Sequence, residues 1–352
     1  MANKNISISG IAVGEGNPAF IIAEAGVNHN GSVRLAKKLV VAAKEAGADC
    51  VKFQTFKADR VVTLSAPKAA YQLQTTPKGE SQFEMLKNLE LSHHTYKQLL
   101  DLCAKLDIIF LSTPYSSEDV DFLDDLGVKA FKIASGQIVE LQFLRYVALK
   151  RKPILLSTGM ATLREVEQAV QTIRKAGNKE IVLLQCTTNY PSKIEEANLR
   201  TIKTMREKFG LNIGYSDHTD SVVPVIAAVA LHASVIEKHF TLDKNMPGPD
   251  HSSSAEPAEL AAMVEAIRKT EKALGSPVKK PSASEAKNKQ GMRRSVTARL
   301  PITTGDSITP EMLCFKRPAT GLSPIFADKL IGKKARRDIP QDSFITFKDI
   351  LL

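Results

Sequence analysis

Short apolar runs alternate with amphipathic stretches along most of this chain. The runs at 20–26 (FIIAEAG), 50–56 (CVKFQTF), 108–114 (IIFLSTP), 130–135 (AFKIAS), 153–159 (PILLSTG), 181–187 (IVLLQCT), 212–218 (NIGYSDH) and 234–240 (SVIEKHF) read as strands, being short and rich in β-branched and aromatic residues. Between them, 32–48 places Leu35, Leu39, Ala42 and Ala43 on one face and ends near Gly47, which is helical spacing with a helical stop. Segments 117–127, 162–177 and 257–274 have the same character. Eight strands alternating with helices over about 250 residues predict an α/β fold, a (β/α)8 TIM barrel. A doubly wound open sheet competes with it, but no GxGxxG follows the first run.

After Leu274 the rhythm breaks. Residues 276–292 are rich in Pro, Ser and Lys without apolar periodicity and read as a linker between a barrel domain (1–275) and a small β-rich module (293–352). The hydrophobic share of 43% and charged share of 24% suit an ordinary globular protein. No apolar run approaches membrane-spanning length, which argues against a membrane role. Cys50, Cys103, Cys186 and Cys314 lie far apart with no CxxC pair, so reduced thiols in a cytoplasmic protein are expected. The net charge of +10 is concentrated in the tail: fifteen Lys and Arg against seven Asp and Glu fall between Ser276 and Leu352. Without Trp or an aromatic-basic pattern, this charge suits an anionic small molecule better than nucleic acid.

Every predicted strand ends in polar residues: Glu24; Lys52 with Gln54; Ser112 with Thr113; Lys132 with Ser135; Ser157; Thr187 with Thr188; Ser216 with His218; and His239. Each Ser or Thr taken alone could cap a helix. As a set they mark the C-terminal face of a barrel, where catalytic groups project. Lys52 and Lys132 would be costly to bury without anionic partners, which points to a substrate phosphate or carboxylate; a Schiff-base lysine is the alternative. His218 and His239 end adjacent strands about 4.8 Å apart, so both imidazoles could reach one divalent ion, although a core histidine is an equal reading of either. An open site completed by oxygen ligands and water suits Mn, Mg or Co as well as Zn.

IIAEAGVNHNG, VKFQTFKADRV, FLSTPY, FKIASG, STGMAT, CTTNYP, GYSDHT, EKHFTLDK and GPDHSSSAEPAEL together resemble, in order and spacing, the sialic acid synthase family. FKRPATGLSP and IGKKARRDI resemble the antifreeze-like (SAF) domain of those enzymes, and APKAAYQ draws the likeness toward bacterial N-acetylneuraminate synthases. The resemblance implies condensation of phosphoenolpyruvate with an open-chain N-acetylmannosamine-type aldehyde to give a nine-carbon keto acid and phosphate. It implies a divalent metal, Mn first, with Mg or Co as alternatives, and a homodimer in which each C-terminal module covers its partner's barrel. Carried onto this chain, Lys52, Thr113, Lys132, Ser135, Ser157, Thr188 and Ser216 would hold phosphoenolpyruvate, and His218 and His239 the metal. Gln54, Gln137, Tyr190 and Asp250 would meet the sugar, joined by Arg317 from the other protomer, and Glu24 would handle protons.

Two positions depart from the family pattern. Thr188 stands where some members have Asn, and Gln137 where many have Glu. A glutamine can donate a hydrogen bond as well as accept one. That raises a second substrate, the 2,4-diacetamido-2,4,6-trideoxy sugar that leads to legionaminic acid, behind N-acetylmannosamine. Another phosphoenolpyruvate-using barrel synthase and a non-catalytic carbohydrate-binding protein are the remoter readings.

Overall fold

The computed structural model describes residues 5–69, 72–77 and 79–351. It divides after Gly275 into two compact units.

The first unit opens with a hairpin, β1 (Ile6–Ile8) and β2 (Ile11–Val13), which the apolar pattern does not announce. Eight parallel strands follow: β3 (Phe20–Gly26), β4 (Cys50–Thr55), β5 (Ile109–Pro114), β6 (Phe131–Ile133), β7 (Ile154–Ser157), β8 (Ile181–Cys186), β9 (Asn212–Asp217) and β10 (Val235–His239). They pair in the order β5-β4-β3-β10-β9-β8-β7-β6, and β5 lies beside β6, so the sheet nearly closes into a TIM-type barrel. Strands buried on both faces read as continuous apolar runs rather than alternating ones, which is why each was visible in sequence.

Alternation still sorts the side chains. Ile21, Ala23, Val51, Phe53, Phe110, Ile213 and Ile236 point outward into one large core shared with the helices. Phe20, Ile22, Leu111, Leu155, Leu184 and Val235 point inward, where Ile6, Ile8 and Val13 of the hairpin join them and plug the lower end of the barrel. Gly214, inward on β9, is where the interior has no room: a Cβ there would lie 2.6 Å from Val235 O.

The helices stop where local chemistry says they should. Ser32 and Thr162 cap Val33–Glu45 and Leu163–Lys175 with side-chain oxygens, the latter in a capping box with Glu165. Gly127, at φ 85°, closes Ser117–Leu126 in the left-handed conformation that glycine adopts without strain.

The second unit contains the antiparallel pair β11 (Ser295–Ala298) and β12 (Leu313–Lys316), linked by isolated bridges to short turns. Val296, Ile302, Ile308, Leu330 and Ile345 contribute to its own small core. The stretch expected as a linker contains the helix Ala283–Met292, capped by Ser282 with Glu285. None of its residues is buried, so no apolar stripe announced it.

Candidate active site

Going up the barrel interior, apolar side chains give way to polar ones at the C-terminal ends of the strands. Glu24 on β3, Lys52 on β4, Thr113 on β5, Lys132 on β6, Ser157 on β7, Ser216 on β9 and Glu237 on β10 are all buried. Period-two alternation brings them there, each two residues beyond an inward apolar position such as Ile22, Leu111 or Val235. Ser112 does not join them. It faces outward and shares a 2.7 Å hydrogen bond with Thr55, because its place in the alternation is that of Phe53 and Phe110, not Lys52.

The lysines already have anionic partners on the protein. Lys52 Nζ lies 2.6 Å from Glu24 Oε2 and 3.7 Å from Glu237 Oε2, and it donates to Thr113 Oγ1 at 3.0 Å. Lys132 Nζ lies 3.3 Å from Glu237 Oε1, which also accepts from Ser216 Oγ at 2.7 Å. The expectation that these cations need a substrate anion to be buried is therefore corrected: two carboxylates neutralise them beforehand. Glu237 went unnoticed in the sequence, although its alternation with His239 along β10 puts both on the same face.

The two carboxyls differ. Burial pushes Glu24 up to about 7 against the opposing pull of Lys52. Burial would raise Glu237 too, but Lys132 and Lys52 together hold it down at about 2. One carboxyl is thus poised to exchange a proton near neutral pH while the other stays a fixed negative charge.

Beside the ion cluster, Gly159 N donates to Ser135 Oγ at 3.0 Å, and a side chain at Gly159 would run into both Ser135 Oγ and Thr188 Oγ1. Thr188, itself exposed, is thereby placed at the same backbone turn as Ser135. Ser157 Oγ is buried with no hydrogen-bond partner among the described residues. A buried hydroxyl with its hydrogen bond unspent, beside a glycine turn, is able to bind an anion.

His218 and His239 have ring centroids 5.2 Å apart, and Tyr190 packs on both, at 4.3 and 5.4 Å. His218 Nδ1 faces the carbonyl of Thr187 at 2.8 Å; a carbonyl only accepts, so Nδ1 carries a proton. Burial would lower the His218 pKa, but Cys186 and the Thr187 carbonyl outweigh it and raise it above its usual value. His239 Nδ1 is buried without a hydrogen-bond partner among the described residues, and Asp250 Oδ2 lies 3.9 Å from it. Burial, reinforced by His218, holds His239 well below its usual value and so neutral. Burial also pushes Asp250 up to about 6. Among the described residues no group of three or more His, Cys, Asp or Glu is placed to hold a metal ion. The two adjacent imidazoles, with His239 Nδ1 unpartnered among the described residues, would fit an ion that completes its shell with water and substrate.

Gln54 Nε2 donates to Glu24 Oε1 at 3.2 Å, and its Oε1 accepts from Tyr115 OH at 3.3 Å. Gln137, buried, donates from Nε2 to Tyr115 O at 3.4 Å, and its Oε1 has no hydrogen-bond partner among the described residues. One N–H of Nε2 remains beside the open Oε1, so the side chain can still donate, as the sequence reading expected, and can also accept. Tyr115 and the Cys186 thiol, which lies 3.6 Å from Ser135 Oγ and 3.8 Å from His218 Nδ1, are further site residues that sequence reasoning missed. Arg317 belongs to the second unit, just past β12, and is exposed. Ala70 and Tyr71 of the APKAAYQ stretch lie outside the described residues.

Residues 39–279 match the NeuB family model and residues 293–351 the SAF domain model. The chain belongs to the NeuB family. It is an enzyme of this sialic acid synthase family, with a TIM-type barrel and a C-terminal SAF domain. Among NeuB-family relatives, it is 48% identical to an N,N'-diacetyllegionaminic acid synthase of Campylobacter jejuni, over 93% of this chain and 98% of that one. It is 44% identical to the enzyme of the same name from Legionella pneumophila, over 99% of each chain. A solved N-acetylneuraminic acid synthetase from Leptospira borgpetersenii is 33% identical, superposes with a TM-score of 0.72, and covers 81% of this chain and 95% of its own. That order reverses the sequence reading, which put the N-acetylneuraminate synthases first.

Proposed function

We propose that this enzyme condenses phosphoenolpyruvate with the open-chain aldehyde of 2,4-diacetamido-2,4,6-trideoxymannose, giving N,N'-diacetyllegionaminic acid and phosphate. The observation that carries the reaction class is the convergence of Lys52, Lys132, Ser135, Ser157 and Ser216 at one end of the barrel, beside two neutral-capable imidazoles and a carboxyl with a pKa of about 7. The two relatives at 48% and 44% identity support the diacetamido sugar over N-acetylmannosamine.

In this reading Lys52 and Lys132 turn from their carboxylate partners to the anionic substrate, and Ser135, Ser157, Thr188 and the Gly159 turn hold its phosphate. A divalent ion, Mn with Mg or Co as alternatives, would be held by His218 and His239 and when bound would polarise the aldehyde oxygen. Carbon 3 of phosphoenolpyruvate attacks the aldehyde carbon, and neutral Glu24 delivers a proton to the developing alkoxide. Water then adds at carbon 2, Glu24 takes up the proton that it loses, and phosphate leaves with cleavage of the C–O bond. Gln54 aims Glu24 through its 3.2 Å hydrogen bond, and Gln137 Oε1 accepts from an acetamido N–H. Four free thiols fit a cytoplasmic setting, and the family resemblance supports a homodimer in which Arg317 serves the partner's barrel.

Phosphate release measured across the two sugars tests this: kcat/KM for the diacetamido sugar is expected to exceed that for N-acetylmannosamine at least tenfold. The opposite ranking would return the chain to the N-acetylneuraminate reading. Chelation should abolish turnover and Mn restore it, and full activity from a rigorously metal-free sample would remove the His218–His239 assignment.

A further inference from the structure

The connection from β4 to β5 carries the helices Ala58–Val61, Gln82–Leu89 and His93–Leu106. Its Phe56, Met85 and Leu89, with Val27 from the loop after β3, form an apolar cluster separate from the barrel cores, and Val61, Leu86 and Tyr115 lie against it. A cavity of about 200 Å³ runs between this cluster and the reacting groups, bordered by Phe56, Val61, Met85 and Leu86 as well as by Tyr190, His239 and Asp250. For scale, an apolar cavity of roughly 150 Å³ takes up a benzene ring. The pocket thus has an apolar stretch away from the reacting groups, although Gln54, Gln72, Gln82 and Tyr115 also line it.

This wall is fixed rather than loose. Buried Lys68 pairs with Glu80 at 2.9 Å and donates to Thr76 Oγ1 and Pro77 O. Glu90 ties the other end, accepting from Lys57 Nζ at 2.8 Å and from Ala58 N at 2.9 Å. Gln82 and Gln72, the amides on the wall, are turned toward each other, with Gln82 Nε2 donating to Gln72 Oε1 at 3.4 Å.

An aldehyde carbon held beside His218 and His239 leaves carbon 6 as the far end of a hexose. We infer that Phe56, Val61, Met85 and Leu86 form a specificity wall that receives a carbon-6 methyl and disfavours a carbon-6 hydroxyl. This rests on the synthase reading above and explains it further: the preference lies at carbon 6, independently of the acetamido group at carbon 4. A hydroxyl set against Phe56, Val61, Met85 and Leu86 gives up hydrogen bonds to water that these four side chains cannot replace, whereas a methyl buries at no such cost.

The test compares N-acetylmannosamine with 6-deoxy-N-acetylmannosamine, which differ at carbon 6 alone, by kcat/KM for phosphate release from phosphoenolpyruvate. The 6-deoxy sugar is expected to be favoured by about tenfold to a hundredfold, the range an apolar pocket achieves against an added hydroxyl. Met85→Gln and the isosteric, half-buried Val61→Thr should each shrink the ratio, and Met85→Leu should keep it. Equal kcat/KM for the two sugars in the wild type overturns the wall and leaves the synthase reading standing. An unchanged ratio in folded Val61→Thr and Met85→Gln also overturns it. Absence of phosphate release with these sugars and with the diacetamido sugar ends both.

Discussion

Glu237 is the counter-ion that two buried lysines share, and its removal tests how the ion cluster is balanced. Lys52 and Lys132 would keep only Glu24 as an anionic neighbour, itself pushed toward the neutral form by burial. Glu237→Gln preserves shape but strands that charge, so a loss of about 3 kcal/mol or more in urea unfolding is expected. An unchanged midpoint would mean that water reaches the lysines and screens them. At the same scale the site was legible only in part. Lys52, Lys132, His218 and His239 were legible because such residues rarely end an apolar strand without cause. Glu237, which lies between the lysines in space, was not, because nothing in EKHF says which lysine a glutamate will meet.

At the scale of elements, barrel packing gives two glycines different meanings. Gly214 faces the interior, where a methyl would press on Val235 O and Leu184. Gly159 sits at the strand end, where it would press on the Ser135 and Thr188 hydroxyls instead. Gly214→Ala is expected to destabilise the fold by about 1–3 kcal/mol. Gly159→Ala should leave the melting temperature within a few degrees and raise KM for phosphoenolpyruvate at least tenfold. Reversed outcomes, with Gly159→Ala unfolding and Gly214→Ala binding poorly, would contradict the placement of the two layers. The eight strands were legible in the sequence within a residue or two, since burial on both faces writes itself as an unbroken apolar run; four helices were read, while others such as His93–Leu106 were not. The hairpin Ile6–Val13 and the exposed helix Ala283–Met292 lacked that signal.

At the scale of the whole molecule, the two units have hydrophobic cores of their own and should respond differently to acid. Asp349 is buried in the second unit; its carboxylate accepts from Thr346 N at 2.7 Å, from Thr346 Oγ1 at 2.8 Å and from Arg337 Nε at 2.6 Å. Burial would raise its pKa, but these donors outweigh that and lower it below 3.8, its ordinary value. The folded unit therefore binds this proton less readily than the unfolded chain. The stabilisation is full above the ordinary aspartate range and is lost as pH falls through the lowered value. Asp349→Asn should weaken the second unit at neutral pH by about 1–3 kcal/mol. It should also remove part of its acid sensitivity, read by hydrogen exchange at Val296 and Ile345. Equal exchange in both proteins at neutral pH would count against this anchoring role.

The order of strands, the helical faces, the break after Leu274 and the polar strand ends were all set by local sequence. Each depends on the spacing of neighbours within a few residues, which the chain carries in one dimension. Which carboxylate neutralises which lysine, that Ser112 faces away from the site, that Gln137 offers an acceptor, and that Met85 and Val61 close the pocket holding His239 and Asp250 were decided only in the tertiary structure. Those facts join residues from different strands and loops, and burial strengthens or penalises their charges and hydrogen bonds only after the barrel has closed around them.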